Sequence, residues 1–316
     1  MRKKILFIGG SLNQTKMMYQ VAAHLQDYDC WFTPYYGDGL VQTAAENGLL
    51  DFTILGGSHM QATKIFFETR QVQVDYKGER NRYDLVVTCS DLIVPRNIRH
   101  LPIVLVQEGM VTPENIVYHI VRSLGLPRYL GNTSMTGLSH AYVRFCVASE
   151  GFKTLFVRKG IAAQKIEVTG IPNFDNLGEY AANDFPHRDF VLGATSCLRE
   201  SGQFENRRAF IEKVLDVAAG RPVIFKLHPN ENHRRATQEI ARFASGSIVL
   251  DSGNINPMIA NCSAMVTKFS SVLLVALGMG KQVYSDIEPA IAETLRPLQN
   301  GGTSAHRIAG ICREYV

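Results

Sequence analysis

Short apolar runs alternate with amphipathic segments along most of the chain. The first run is KILFI, and the residues that recur at helical spacing after it are Met18, Val21, Ala22 and Leu25. This alternation is typical of βαβ units, in which helices connect parallel strands. In the first half it predicts further strands at CWFT, DLVVT, IVLVQ, RFCVAS and KIEVTG, and helices over 58–71, 113–124 and 150–159.

A change of composition divides the chain after residue 170. The segment IPNFDNLGEYAANDFPHRD, 171–189, contains two prolines and little apolar periodicity, which is typical of an interdomain linker. The alternation then resumes, with strands at DFVLGAT, RPVIFKL, SIVL, AMVT and KQVYS, helices over 206–219, 233–243, 256–260 and 270–277, and terminal helices within 288–316. We therefore predict an α/β protein with two Rossmann-like, doubly wound domains, 1–172 and 188–316. Ligands of such sheets bind beyond the carboxyl ends of the strands, so a ligand is expected in a cleft between two facing domains.

Composition narrows the class of protein. The 316 residues carry a net charge of +4, which suits small anionic molecules or loose contact with a membrane surface and argues against nucleic acid as a partner. The six cysteines form no CxxC pair, so neither a metal site nor a disulfide framework is expected. We expect the protein to be in a reducing compartment. The apolar runs are too short for a signal peptide or a membrane span, which predicts a cytoplasmic protein. The charge would suit peripheral approach to a lipid-linked acceptor at the inner face of the membrane, but no amphipathic anchor helix stands out.

Three segments of the second half place anion-binding residue types directly after predicted strands. FKLHPN contributes Lys226 and His228, whose charges can neutralise a diphosphate, and Pro229 makes the turn sharp. TKFSSV contributes Lys268, Ser270 and Ser271, and GATSCLRE contributes Thr195, Ser196 and Arg199. Hydroxyls and backbone amides at the start of a helix form a site for phosphate. Each segment also has a purely structural alternative. FKLHPN can be a solvated turn, TKFSSV a simple helix cap and GATSCLRE a polar loop.

Two segments of the first half have a comparable position. In IGGSLNQ, Gly10 allows the backbone to approach a ligand closely and Ser11 follows it, although the pattern is not the GxGxxG of dinucleotide sites. In VQEGM, Glu108 follows a buried strand and is the candidate general base, with His59 and Asp91 as rivals. The alternatives are a tight strand-to-helix turn and a surface carboxylate. The glycine-rich segment GLPRYLGNTSMTGLSHA is expected to be a mobile loop near a site.

The order of FKLHPN and TKFSSV resembles the GT-B superfamily, in particular CDP-glycerol glycerophosphotransferases and bacterial capsule glycosyltransferases, which carry K-x-H-P and T-D-Y-S-S segments. This resemblance covers about residues 190–286. The HPN segment and the VTG turn before the linker are also similar to UDP-N-acetylglucosamine 2-epimerases, which share the fold. Lys268 stands where the T-D-Y-S-S segment of the transferases has its acidic residue. The epimerases have S-G-G at the start of the helix, where this chain has S-S.

The resemblance implies a GT-B fold with a nucleotide-sugar-binding carboxy-terminal domain and an acceptor-side amino-terminal domain. The diphosphate is then expected near Ser270 and Ser271, and Glu288 near a ribose hydroxyl. The implied function is transfer of a sugar, or a sugar-alcohol phosphate, from a nucleotide donor to a saccharide or lipid-linked acceptor in cell-surface polysaccharide synthesis. The absence of a clear D-x-D pair favours a mechanism without a metal, and no cofactor is expected. The alternatives are a nucleotide-sugar epimerase and a non-catalytic nucleotide-sugar-binding protein.

Overall fold

The computed structural model describes residues 2–200, 202–268 and 270–316. The strands in these residues are β1 Lys4–Ile8, β2 Asp29–Thr33, β3 Leu85–Thr88, β4 Ile103–Val106, β5 Arg144–Val147, β6 Ile166–Val168, β7 Val191–Ala194, β8 Val223–Lys226, β9 Ile248–Leu250, β10 Ala264–Thr267 and β11 Gln282–Tyr284. The helices are α1 Leu12–Ala22, α2 Gly39–Glu46, α3 Gly57–Thr69, α4 Ile116–Ser123, α5 Glu150–Arg158, α6 Arg207–Ala218, α7 His233–Phe243, α8 Ile255–Asn261, α9 Val272–Gly278, α10 Pro289–Thr294 and α11 Ser304–Arg313. The chain divides into two compact units. The amino-terminal unit comprises the residues up to Asp175 together with Asn300–Val316, and the second unit is Asn176–Gln299.

The amino-terminal unit is built on a parallel sheet with the strand order β2-β1-β3-β4-β5-β6. Its strands β3 and β4 are buried at every position, because helices cover both faces of a parallel sheet. The chain leaves β1 to one side for β2 and returns to the other side for β3. The carboxyl ends of β1 and β3 are therefore the switch point at which such sheets bind ligands.

The second unit has a parallel sheet of its own, with the order β11-β10-β7-β8-β9. One of its core clusters joins the inner face of α6 to the sheet, with Phe210 and Val214 of the helix against Val191 and Phe225 of the strands. Asn206 begins α6 by accepting a hydrogen bond from the amide of Ala209 at 3.0 Å. The switch point of this sheet lies between β7 and β10.

The predicted strands are confirmed throughout the described residues, and both sheets are parallel as expected. Helix α2 was not predicted, and none of its residues is buried. The segment 171–189 contains the boundary between the two units and has structure of its own. It contains the 3₁₀ turns Pro172–Phe174 and Leu177–Ala181, and it buries Ile171, Phe174 and Leu177.

The end of the chain belongs to the amino-terminal unit, which differs from the predicted domain 188–316. Helix α11 packs on α1 and buries Ile308 and Cys312 completely. At its start, Asp175 accepts a hydrogen bond from the Ser304 amide at 2.6 Å, and the Ser304 hydroxyl donates to the carbonyl of Thr169 at 3.1 Å. The sequence predicts a terminal helix here, but only these contacts decide which unit the helix belongs to.

Candidate functional site

In the amino-terminal unit, Gly10 lies where β1 turns into α1. A Cβ atom at this position would lie 1.8 Å from Oε1 of Gln14, so any larger residue would displace the Gln14 side chain. The Thr63 hydroxyl donates to the Gly10 carbonyl at 2.9 Å and fixes the turn from the side of α3. Ser11 follows as the N-cap of α1, and its hydroxyl oxygen accepts from the Gln14 amide at 3.2 Å.

Glu108 lies beside this turn, just beyond β4. Its Oε1 accepts a hydrogen bond from the Ser11 hydroxyl at 2.8 Å, and its Oε2 accepts from the side-chain amide of Gln14 at 2.5 Å. The half-buried carboxylate lines a cavity of about 210 Å³, together with residues that include Cys89, Asn132 and Thr133. The sequence predicted Ser11 and Glu108 as separate candidates, and the structure brings them into contact. It did not predict Gln14, whose only signal is its place one helical turn after the glycines.

Asp91 and His59, the other two candidates for the general base, do not share the environment of Glu108. Asp91 is 2% exposed, and its carboxylate accepts hydrogen bonds from the amides of Gly137 and Ser139, each at 2.9 Å. It therefore fixes the segment before β5. His59 is half-buried in the first turn of α3 and is not among the residues that line the Glu108 cavity. Burial raises the pKa of the Cys89 thiol well above its usual range, so this neighbour of Glu108 stays protonated.

A second and larger cavity, of about 700 Å³, lies in the same unit beyond the end of β2. Its walls include Tyr35, Tyr36 and Tyr76, and α2 and the start of α3 contribute to its lining. Leu55 lines this cavity, whereas the neighbouring Ile54 lines the cavity at Glu108. One short stretch of chain therefore separates the two spaces.

In the second unit, His228 follows the end of β8 and its ring is oriented by the backbone. Its Nδ1 accepts a hydrogen bond from the Asn230 amide at 3.1 Å, so the neutral ring carries its proton on Nε2. Nε2 lies 3.8 Å from Sγ of Cys197. Burial lowers the pKa of His228, which favours this neutral form at neutral pH. The ring can then donate one hydrogen bond to a ligand oxygen without being charged.

A buried ion network lies beneath His228 and was not predicted. The Glu231 carboxylate accepts from the Thr195 hydroxyl, from the His228 amide at 2.9 Å and from the Arg207 guanidinium at 2.8 Å. Arg207 also donates to Glu205 at 2.9 Å, and these charged side chains are at most 3% exposed. The network connects the ends of β7 and β8 to the start of α6. Thr195, a predicted ligand residue, is thus occupied in positioning the His228 loop.

Most of the predicted cations already have partners within the unit. Arg199 makes two hydrogen bonds of 2.8 Å to Glu239, and these raise its pKa. Lys226 donates to the carbonyls of Leu227 at 3.0 Å and Asp251 at 3.3 Å, and burial lowers its pKa. Lys268 pairs with Asp286 at 3.2 Å. A bound phosphate would have to compete with these partners.

Ser196 and the serines before α9 have different surroundings. Ser196 is 6% exposed, and its hydroxyl has no hydrogen-bond partner among the described residues. Ser271 has helical backbone angles rather than the extended conformation from which a side chain caps a helix. The carbonyls of Ser270 and Ser271 accept from the amides of Leu273 and Leu274, each at 3.1 Å. Glu288 is exposed at the start of α10. Phe269 of TKFSSV lies outside the described residues, as does Ser201 of GATSCLRESGQ.

The described residues contain no group of three or more His, Cys, Asp and Glu side chains able to bind a metal ion. The six cysteines are thiols rather than disulfides. None of the helices within the described ranges is long and apolar enough to cross a membrane.

No protein-family model matches the chain, and no curated protein is similar to it in sequence. Solved structures do resemble it at low identity over almost its whole length. UDP-GlcNAc 2-epimerase from Neisseria meningitidis, bound to UDP-GlcNAc, has a TM-score of 0.57 at 13% identity and covers 98% of this chain and 100% of its own. Anabaena HepE in complex with UDP and glucose has a TM-score of 0.51 at 15% identity, with 99% and 95% covered. The wall teichoic acid polymerase TagF with CDPG has a TM-score of 0.50 at 11% identity, with 99% and 88% covered. The chain therefore has the GT-B fold that the sequence resemblance implied.

Proposed function

We propose that this protein is a glycosyltransferase that moves a sugar, or a sugar-alcohol phosphate, from a nucleotide donor to an acceptor in cell-surface polysaccharide synthesis. The observation that carries the proposal is the Glu108 carboxylate, which Ser11 and Gln14 orient at the edge of a cavity on the ligand-binding side of the first sheet. An oriented carboxylate beside a space of this kind can serve as a general base. The proposal invokes no cofactor, and the nucleotide donor is a substrate.

Glu108 would take the proton of an acceptor hydroxyl. The hydroxyl oxygen would then form a bond to the transferred group, and the bond between that group and the departing phosphate would break. The adjoining 700 Å³ cavity supports a transferase over an enzyme of one substrate, because a transferase must also accommodate an acceptor.

The second unit would bind the donor at the end of its own sheet. Nε2–H of His228 is the donor best placed to meet negative charge on a departing phosphate, since its ring is oriented by Asn230. The buried, unpartnered hydroxyl of Ser196, which follows β7 at the switch point of this sheet, supports a ligand at this end of the sheet as well. Similar structures contain UDP-GlcNAc, UDP with glucose, and CDPG, and these are the donor classes we propose to test.

An epimerase acting on UDP-N-acetylglucosamine is the second candidate. It is supported by the fold that the chain shares with the Neisseria epimerase, which was solved bound to UDP-GlcNAc. Such an enzyme needs no acceptor, so conversion of UDP-N-acetylglucosamine alone would distinguish it from a transferase.

The test begins with thermal shifts of the wild-type protein and of His228→Ala and Ser270→Ala against UDP, CDP, GDP, CMP and their sugars. A bound ligand raises the unfolding temperature by mass action. We expect one nucleotide class to give a shift that both variants reduce. Absence of a shift with every nucleotide would contradict the donor site.

The second stage measures transfer from the selected donor to a panel of saccharide and lipid-linked acceptors. We expect Glu108→Gln to lower turnover by about 100-fold or more, because the amide cannot accept the proton. The matched control is Glu114→Gln, at an exposed carboxylate six residues further along the chain. Equal loss in both variants, or none in Glu108→Gln, would remove Glu108 as the base. Binding without turnover by the wild-type protein would favour a non-catalytic role.

A further inference from the structure

The connection between β4 and β5 presents an unusual number of apolar side chains to solvent. On α4, Ile116 is 75% exposed, Ile120 is 46% exposed and Leu124, just beyond its end, is 70% exposed. Their spacing of four residues places them on one stripe of the helix. We call the exposed apolar residues of this region the apolar surface, and they are Ile116, Val117, Ile120, Leu124, Leu126, Tyr129, Leu130 and Val157.

The opposite face of α4 fixes this orientation. Tyr118 and Val121 are almost fully buried and pack with Met135, Leu92 and Leu138. Asn115 caps the helix by accepting from the Tyr118 amide at 3.0 Å. The helix therefore has an apolar face on each side, and only one of them is covered by the protein. A contiguous exposed surface of large apolar residues is typical of an interaction site.

Cations border the apolar surface. Arg122 is exposed on α4, and its Nη1 donates to the Tyr118 hydroxyl at 2.6 Å. Its Nη2 would lie 3.4 Å from a Cβ atom at Gly160, which brings the end of α5, with exposed Arg158 and Val157, to the same border. Apolar side chains flanked by arginines match the acyl and headgroup regions of an anionic bilayer.

A second copy of the chain is a poorer match for this surface. A two-fold interface brings together two identical surfaces of the same net charge, so the positive charge of Arg122 and Arg158 would be brought in twice. Anionic headgroups would neutralise the same side chains. The charges therefore favour a lipid surface as the occupant.

The apolar surface and the cavity at Glu108 share one segment of the chain. The chain segment that carries the apolar surface also supplies Met110, Asn132 and Thr133 to the cavity lining. The Thr133 hydroxyl oxygen accepts from the Thr112 amide at 3.0 Å and closes the base of this segment. A surface that docked here would lie beside the space in which we propose that an acceptor binds.

We propose that the apolar surface docks on an anionic lipid bilayer and presents the Glu108 cavity to acceptors carried by that bilayer. The docking is inferred from the surface alone, whereas the role in acceptor delivery rests on the proposed transferase function. Exposed and buried apolar residues follow one another in IVYHIVRS, so the local pattern of α4 does not show which of them the fold covers.

The test is co-flotation of the full chain with vesicles of phosphatidylcholine, alone or mixed with phosphatidylglycerol. We expect binding to the mixed vesicles and a loss of about tenfold or more in the variant Ile116→Ser/Ile120→Ser/Leu124→Ser. The matched control is Leu40→Ser/Leu49→Ser/Phe52→Ser, which removes three exposed apolar residues elsewhere in the same unit and should leave binding unchanged. Arg122→Gln/Arg158→Gln should remove the preference for phosphatidylglycerol.

Several outcomes would overturn the docking proposal. These are absence of wild-type binding to mixed vesicles, equal loss in both serine variants, or a dimer in sedimentation that only the α4 variant disrupts. Thermal unfolding of each variant shows that it is folded. The nucleotide-induced thermal shift should be the same in the α4 variant as in the wild type. An α4 variant that loses vesicle binding but keeps the nucleotide-induced shift would support the docking surface. A wild-type protein that binds vesicles but shows no nucleotide-induced shift would contradict the donor site and not the docking surface.

Discussion

Glu108 and His228 are oriented by different kinds of partner. Glu108 depends on two side chains of α1, Ser11 and Gln14, which lie far from it in sequence. His228 depends on the backbone amide of Asn230, two residues away. The orientation of His228 is therefore a property of the HPN turn, while that of Glu108 is a property of the sheet.

The pH dependence of folding should report the environment of His228. Burial lowers its pKa below the ordinary value of 6.5, so between the folded pKa and about pH 6.5 the unfolded chain binds more protons. This group therefore reduces the free energy of unfolding as the pH falls through that range, and the loss levels off below the folded pKa. We expect His228→Gln to lose less thermal stability than the wild type between about pH 7.5 and pH 5.

The comparison needs a control for histidine content. His100→Gln, at an exposed position, should keep the wild-type dependence on pH. The measurement is the unfolding temperature in a series of buffers without nucleotide. Identical slopes for the wild type and His228→Gln would mean that His228 titrates alike in the folded and unfolded chain.

At the scale of elements, the buried network at Glu231 joins three parts of the second unit. It ties the end of β7 through Thr195, the loop after β8 through His228, and the start of α6 through Arg207. The sequence contains these charges without any sign of their burial, because an Arg and a Glu 24 residues apart have no fixed relation along the chain. The order of strands β7 and β8 brings them together.

Removing Glu231 should destabilise the second unit strongly. Glu231→Ala leaves the buried Arg207 with one carboxylate fewer, and loss of one partner of a buried pair costs about 3–5 kcal/mol. The control is Glu212→Ala, which removes an exposed partner of Arg208 and should cost about 1 kcal/mol or less. Urea unfolding followed by circular dichroism should reveal the difference. A cost for Glu231→Ala as small as that of the control would contradict the structural role of the network.

At the scale of the whole molecule, the chain crosses from one unit to the other and returns. Helix α11 completes the amino-terminal unit by packing on α1, and Arg313 at its end donates to the carbonyl of His24. Contacts of Ser304 with Asp175 and Thr169 fix its beginning. The stability of the amino-terminal unit therefore depends on the last residues of the chain.

This dependence can be measured, because the single tryptophan, Trp31, lies in β2 and reports the amino-terminal unit. Ile308→Ala removes a fully buried side chain of α11 and should cost about 2–5 kcal/mol, seen as a lower midpoint of the Trp31 fluorescence transition in urea. Ile291→Ala, at a residue that is 48% exposed in α10, is the control and should leave that transition in place. An unchanged Trp31 transition in Ile308→Ala would assign α11 to the other unit.

The sequence by itself determined the strands, the parallel character of both sheets and the polar segments at the strand ends. These follow from local spacing, since a buried parallel strand is a short apolar run and a helix repeats its apolar residues every three or four positions. Tertiary structure decided the contact of Ser11 with Glu108 across 97 residues, the burial of Arg207 with Glu231, the position of α11 and the exposure of Ile116. Each of these depends on which element lies next to which, and strand order and packing set that relation beyond the reach of any local pattern.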